Sequence, residues 1–189
     1  MANEKKMDCV LLGLLSHEPL TGYEIKKRMD TTLKLFWNAS YGSIYPTLNG
    51  MERDGYVTKE AMTENGRDKI RYTITEEGRE HLREWLKAPV TKDELRYETL
   101  LKLFFGGNIG SKITLEHVEA FEERVKEELP YIKRSVNILE NIQEEDKEHT
   151  YYMLTAMFGE RVYEAYLEWC KDVKRILGGD LACMEGERN

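Results

Sequence analysis

LFWNASYGSIYPTLNGMERDG, running from Leu35 to Gly55, is the stretch whose reading decides the fold. It reads as one helix with a strong entry and a hard stop. Asn38 and Ser40 are both good N-caps, because their side-chain oxygens accept a bond from a free first-turn N–H. Ile44, Leu48 and Met51 recur at i, i+4, i+7 and line one apolar stripe. Gly55 stands where a left-handed residue closes a helix. The opposite face shows Gly42, Pro46, Asn49 and Arg53, flanked by Ser43, Tyr45 and Gly50. A solvated face would carry Glu and Lys. This one is small and rich in hydroxyl and amide groups, which suits close approach to a flat surface such as a major groove. Pro46 has no N–H and crowds the Gly42 carbonyl, so the regular helix starts near Ser43 or its first turn is kinked. From this stretch alone, a core helix with an idle outer face is an equal alternative.

Downstream residues break the tie. Tyr56–Glu64 alternates weakly, Asn65–Gly66 is a strong hairpin signal, and Lys69–Thr75 alternates with Ile70, Tyr72 and Ile74 on one face. Arg67, Lys69 and Arg71 fall at or near the tip of this ribbon. Upstream, a helix over Lys6–Ser16 carries Val10, Leu11, Leu14 and Leu15, with Gly13 permitting a close neighbour. Thr21 and Glu24 form a capping box that opens a second helix, Gly22 to about Leu33. Its Ile25, Met29 and Leu33 face inward, while Tyr23, Lys26 and Lys27 face outward. A Tyr hydroxyl and ammonium groups suit phosphate oxygens, against the plainer reading of a solvated basic face. Helix, helix, helix, then ribbon is the order of a winged helix-turn-helix.

The segments LTGYEIKKRMD (20–30), FWNASYGSIYPTL (36–48), the close at 53–57 and YTITEEG (72–78) together resemble the PadR family of transcriptional regulators. The resemblance implies a cytoplasmic dimeric repressor that leaves a palindromic operator when a small, often aromatic, molecule binds. It also implies the DNA-facing residues at matching positions. These are Tyr23 and Lys27 in helix two, then Ser40, Tyr41, Ser43, Tyr45, Pro46 and Asn49 around helix three, with Arg67 and Lys69 in the wing. Gly50 and Met51 depart from the pattern, where a polar helix former and Leu are more usual.

The chain carries a formal charge of −7. Residues 1–88 hold 14 basic and 14 acidic side chains, and residues 89–189 hold 14 and 21, so the acidic excess is all in the second half. Local basic patches, not total charge, set phosphate binding. Cys9, Cys170 and Cys183 lack the close spacing of a disulfide framework or a zinc site, which fits a reducing cytosol. No secretory or transmembrane run is expected.

Residues 90–178 read as an all-helical dimerisation and effector domain, after a winged-helix domain over 1–89 and before a disordered tail over 179–189. The boundary is placed at APVTK (88–92). Helix five is expected over Asp93–Phe105. Val118, Phe121, Val125, Leu129, Ile132, Val136, Leu139 and Ile142 then step by three or four from a cap at Thr114, with Pro130 expected to kink or split the run. Tyr152 to Ile176 repeats the step, ended by Gly178–Gly179. Two such seams form a helical hairpin with more apolar surface than it buries alone, hence a dimer.

His17, His81, His117 and His149 lack metal-ligand spacing, and no nucleophile or phosphate-loop motif occurs, so neither an enzyme, a metal site nor a cofactor is expected. Glu122–Glu123 and Glu127–Glu128 read as a solvated helix face. Phe36, Trp37, Tyr163 and Trp169 read either as packing or as the lining of a pocket for a flat aromatic or lipophilic effector. The fold class is mainly α with a small β-hairpin wing. The competing functional class is a winged helix that docks on protein instead of DNA.

Overall fold

The computed structural model describes residues 2–33, 36–37, 41–64, 67–90, 93, 96–142 and 146–186. The chain divides into two compact units, residues 1–93 and 94–189.

In the first unit, helix α1 (Ala2–Leu15) is followed by a two-residue strand β1 (Leu20–Thr21) and helix α2 (Gly22–Arg28), which runs on as a π-helical turn over Met29–Leu33. Thr21 caps α2 in both directions. Its Oγ1 accepts from the Glu24 N–H at 3.3 Å, and its own N–H donates to Glu24 Oε2 at 2.7 Å. A 3₁₀ turn at Tyr41–Ser43 leads into α3 (Ile44–Arg53). The regular helix therefore begins just after Ser43, and Pro46 falls at its third position, where a missing N–H leaves no bond unmade. Asn38 and Ser40, the expected caps, lie outside the described residues, and Ser43 makes no side-chain capping bond.

Gly55 closes α3 at φ 79°. The Tyr56 N–H reaches Met51 O at 2.8 Å and the Gly55 N–H reaches Glu52 O at 3.1 Å, the paired bonds of a Schellman stop. Strands β2 (Val57–Glu64) and β3 (Arg67–Ile74) form the ribbon, and α4 (Glu76–Lys87) ends the unit. The hairpin residues Asn65 and Gly66 lie outside the described residues. The sheet order is β1-β3-β2, all antiparallel, with Leu20 opposite Tyr72 and Val57 opposite Ile74. Strand β1 is not foreseen from sequence.

Leu11, Leu12, Leu15, Ile25, Ile44, Leu48 and Met51 are fully buried together, which confirms the inner stripe of α3. Tyr72 and Ile74 join this core, whereas Ile70 is exposed where the ribbon runs past it. Gly13 has open space around its α-carbon, contrary to the expected close neighbour. The close approaches are at Gly22 and Gly78. Cys9 is a core residue, and burial, reinforced by Asp8, pushes its thiol up to about 11.

The second unit consists of α5 (Glu98–Phe104), a 3₁₀ turn (Gly106–Asn108), α6 (Ser111–Ile142) and α7 (Lys147–Gly186). Three expectations are corrected. Thr114 is not the cap of α6, which starts at Ser111; it is buried inside the first turn and its hydroxyl donates to Gly110 O at 2.9 Å. Of the two outcomes expected at Pro130, a kink or a split, the split does not occur, since α6 runs through it from Ser111 to Ile142. Gly178–Gly179 does not stop α7, which continues to Gly186, so most of the expected tail is helical. Glycine weakens a helix by about 1 kcal/mol relative to Ala without forbidding it. Residues 187–189 lie outside the described residues.

Val118, Phe121 and Val125 of α6 pack with Cys170 of α7, flanked by Tyr97, Tyr163, Tyr166 and Trp169. Glu122 is not on a solvated face. It is 5% exposed, and Lys174 Nζ donates to both its oxygens at 2.8 and 2.7 Å. These bonds outweigh desolvation and hold its carboxyl below the usual carboxylate range. Glu128 is half-buried and accepts from the Tyr163 hydroxyl at 2.7 Å, while Glu123 and Glu127 are exposed. Among the described residues no helix is long and apolar enough to cross a membrane.

Candidate nucleic-acid interface

Burying Ile44, Leu48 and Met51 forces the other side of α3 outward. Tyr45 is 57% exposed, and Pro46, Asn49 and Arg53 are exposed with it. None of these carries a carboxylate, so the face can hydrogen-bond a polyanion without like-charge repulsion. Tyr45 and Asn49 are one helical turn apart and share that surface. Ser43 is half-buried at the start of the helix. Ser40 lies outside the described residues, as does the side chain of Tyr41.

Helix α2 contributes Tyr23, 71% exposed, with exposed Lys26 and Lys27. The ribbon is tied to the end of α3 by Lys59, whose ammonium lies 2.6 Å from Glu52. That bond raises the Lys59 pKa. Near the tip, the Thr63 hydroxyl donates to Asp68 at 2.9 Å. Lys69 is half-buried there; the side chain of Arg67 is outside the described ones.

Arg71 is not at the tip. It stands opposite Thr21 on one side and Glu60 on the other, at the base of the ribbon. There it lines a polar groove of about 420 Å³ with Glu18, Glu24, Lys27, Arg28 and Thr31. Its Nε is buried without a hydrogen-bond partner. Arg28 is ion-paired to Glu18 beside it. The capping bonds from Thr21, helped by the Arg71 and Lys69 charges, hold the Glu24 carboxyl below its usual range. Sequence placed Arg71 by distance along the strand; strand register places it against α2.

The aromatic candidates fall in different units. Trp37 packs against the first core with its indole N–H buried and unpartnered, and Phe36 is 52% exposed. Tyr163 and Trp169 belong to the second core, where Trp169 meets Phe121 edge-on at 6.0 Å. Tyr97 and Arg124, not singled out from sequence, accompany them, together with residues read there as helical seam, solvated face or last-helix aromatics. Tyr97, Phe121, Arg124, Val125, Glu128 and Tyr166 line a cleft of about 260 Å³ with Tyr163. The Tyr97 and Tyr166 hydroxyls are hydrogen-bonded to each other. Burial raises the Tyr163 and Tyr166 phenols well above their usual range. A run of tyrosines at helical spacing was the available signal; Tyr97, in the segment read as helix five, gave none. Among the described residues no cluster of His, Cys, Asp or Glu could hold a metal ion.

Comparison with known proteins agrees with this geometry. The profile of the transcriptional regulator PadR-like family matches residues 11–84, and that of the virulence activator alpha C-terminal region matches residues 95–178. The negative transcriptional regulator PadR of Bacillus subtilis is 31% identical over 97 residues, which is 50% of this chain and 53% of that protein. The chain spans about half the length of the curated relatives it matches. The crystal structure of smu.1604c from Streptococcus mutans is 30% identical, with a TM-score of 0.73 over 93% of this chain and 98% of that one. The PadR-like regulator BC1756 of Bacillus cereus is 28% identical, with a TM-score of 0.73 over 92% and 98% of the two chains. Crystal structures of Bacillus subtilis PadR with operator DNA (22% identical, TM-score 0.74, 90% and 98% covered) and with p-coumaric acid (21%, 0.68, 93% and 97%) share the fold. With a winged helix in its first half, a helical second half and both matching profiles, the chain belongs to the PadR-like family of transcriptional regulators.

Proposed function

We propose that this chain is a cytoplasmic, dimeric repressor that reads a palindromic operator with α3 and leaves it when a small aromatic molecule binds. The observation that carries the DNA reading is the carboxylate-free exposed face of α3, with Tyr45 and Asn49, flanked by the exposed lysines of α2. Asn49 reaches base edges, where an Asn can bond adenine N6 and N7 together. Tyr23, Lys26 and Lys27 meet phosphates, and Arg67 and Lys69 do so from the wing. Tyr41, Ser43 and Pro46 face the DNA where α3 begins. Arg71 supports this surface from behind, through Glu24 and the start of α2. The relative from Bacillus subtilis, solved with operator DNA and with p-coumaric acid, makes both partners reasonable for this chain. The effector would be held by aromatics of one unit, Phe36 and Trp37 or else Tyr163 and Trp169.

Substitutions separate the two kinds of contact. Asn49→Ala should weaken a duplex selected by the wild-type chain by about 1–3 kcal/mol more than a random duplex, because a bidentate base contact is lost. Lys27→Ala should weaken both alike and lower the salt slope by about one unit. Binding isotherms on the two duplexes measure this. If Asn49→Ala weakened both duplexes equally, α3 would not be the reader.

Dimerisation is supported by the second unit. Tyr151, Leu154 and Phe158, at i, i+3, i+7, form an exposed stripe on α7, and Phe104 is 82% exposed on α5. Such stripes call for a cover, and a second copy supplies one of matching chemistry. Sedimentation velocity should give twice the chain mass, returning to the chain mass in Phe158→Glu. A monomeric wild-type chain would rule the dimer out.

A further inference from the structure

Gly22 is the first residue of α2 and is buried. A Cβ built on it would lie 2.7 Å from Tyr45 Cε1 and 2.9 Å from both Cζ and the hydroxyl oxygen. The outer end of the Tyr45 ring therefore rests on the bare backbone where α2 begins. Helix α2 does not itself require glycine here. Thr21 and Glu24 supply its cap, and Gly22 does not have a positive φ. Glycine also weakens helices relative to Ala. What the position provides is room for the phenol.

Tyr45 is thereby held at two points, by its backbone on α3 and by its ring on α2. A 57% exposed tyrosine on one helix would otherwise be free to change rotamer. We propose that Gly22 is a positioning residue for operator recognition, seating the Tyr45 phenol so that α3 meets DNA with that side chain already in place. The proposal rests on the DNA reading above. Alanine at position 22 puts a methyl group in the phenol's seat. The atoms it meets are the end of a flexible side chain, so the ring swings away and the backbone stays. Fold and stability are kept, and the pre-organised contact is lost.

The test is a double-mutant cycle on the full chain: wild type, Gly22→Ala, Tyr45→Ala and both together. The probes are a duplex selected from a random library by the wild-type chain and a scrambled version of it. Gly22→Ala should weaken the selected duplex about tenfold and the scrambled duplex by much less, with an unfolding midpoint no lower than wild type. In the Tyr45→Ala background, where no ring occupies the seat, the same change should cost less than about twofold. A full loss in that background, wild-type affinity in Gly22→Ala, or a lowered midpoint would each overturn the proposal. A wild-type chain that selects no duplex removes the DNA reading and the proposal with it. A chain that selects a duplex but shows no coupling between the two positions removes the proposal alone.

Discussion

Raising salt from about 50 to 200 mM should weaken binding of the full chain to duplex DNA by roughly 10³–10⁵-fold. The size follows from six to ten phosphate contacts, on the order of what α2 and the wing would supply from the two copies of the proposed dimer. Lys26 and Lys27 are exposed on α2, and Arg67 and Lys69 stand on the wing. The net charge of −7 argues for the opposite sign: salt screens repulsion between an acidic protein and DNA, which by itself would improve binding. Magnitudes decide between them. Screening acts on charges spread over residues 89–189, where the whole imbalance lies, and beyond about 10 Å such charges are largely silent at 0.1 M salt. Counterion release acts at each contacted phosphate and is not diluted by distance. A steep negative slope of log affinity against log salt is therefore expected despite the acidic composition. A flat or rising profile would instead favour the winged helix that docks on protein.

How much of this was legible in the sequence depends on how local each signal is. The α3 stripe, its Gly55 stop and the Thr21–Glu24 capping box are set by residues within one or two turns, and all three are as read. Strand β1 is two residues long and exists only through its pairing with Tyr72 and Arg71, some fifty residues on. Arg71 was misplaced for the same reason, since its height on the ribbon is set by strand register. Glu122 reads as solvent-facing by periodicity because the partner that makes its burial tolerable, Lys174, is on another helix. Gly178–Gly179 reads as a stop because glycine is a common stop, yet a helix already nucleated passes through it. At the interface, exposure of Tyr23, Tyr45 and Asn49 followed from helical phase alone. The seat of Tyr45 on Gly22 did not, because it joins two helices.

The same distinction gives the second large expected effect, which compares two glycines in the first unit. Gly78→Ala should destabilise the chain by about 2–4 kcal/mol, whereas Gly50→Ala should stabilise it by about 0.5–1 kcal/mol. In sequence they are alike, each a helical glycine whose replacement by Ala ought to help. Around Gly50 there is room: a Cβ there meets only the Arg53 guanidinium, at 3.8 Å. At Gly78 a Cβ would lie 2.2 Å from the Tyr56 carbonyl oxygen, with Ile74 and Leu12 at 3.0 and 3.1 Å. That carbonyl belongs to the backbone and is already engaged, accepting from the Thr75 N–H at 3.0 Å. The Thr75 hydroxyl holds Gly55 O at 2.7 Å and receives the Gly78 N–H at 3.0 Å. The start of α4 is thus clamped to the turn that closes α3, and only a hydrogen fits between them. A methyl group must push α4 away, breaking the clamp and opening the packing of Leu12 and Ile74 beneath it. With a total stability of about 5–15 kcal/mol for a natural domain, a loss of this size is a large fraction of the whole. It also frees the turn from which the wing departs, so DNA affinity should fall with it. Denaturant midpoints of the two variants read the effect directly. Equal shifts of the same sign would show that α4 is not clamped at Gly78.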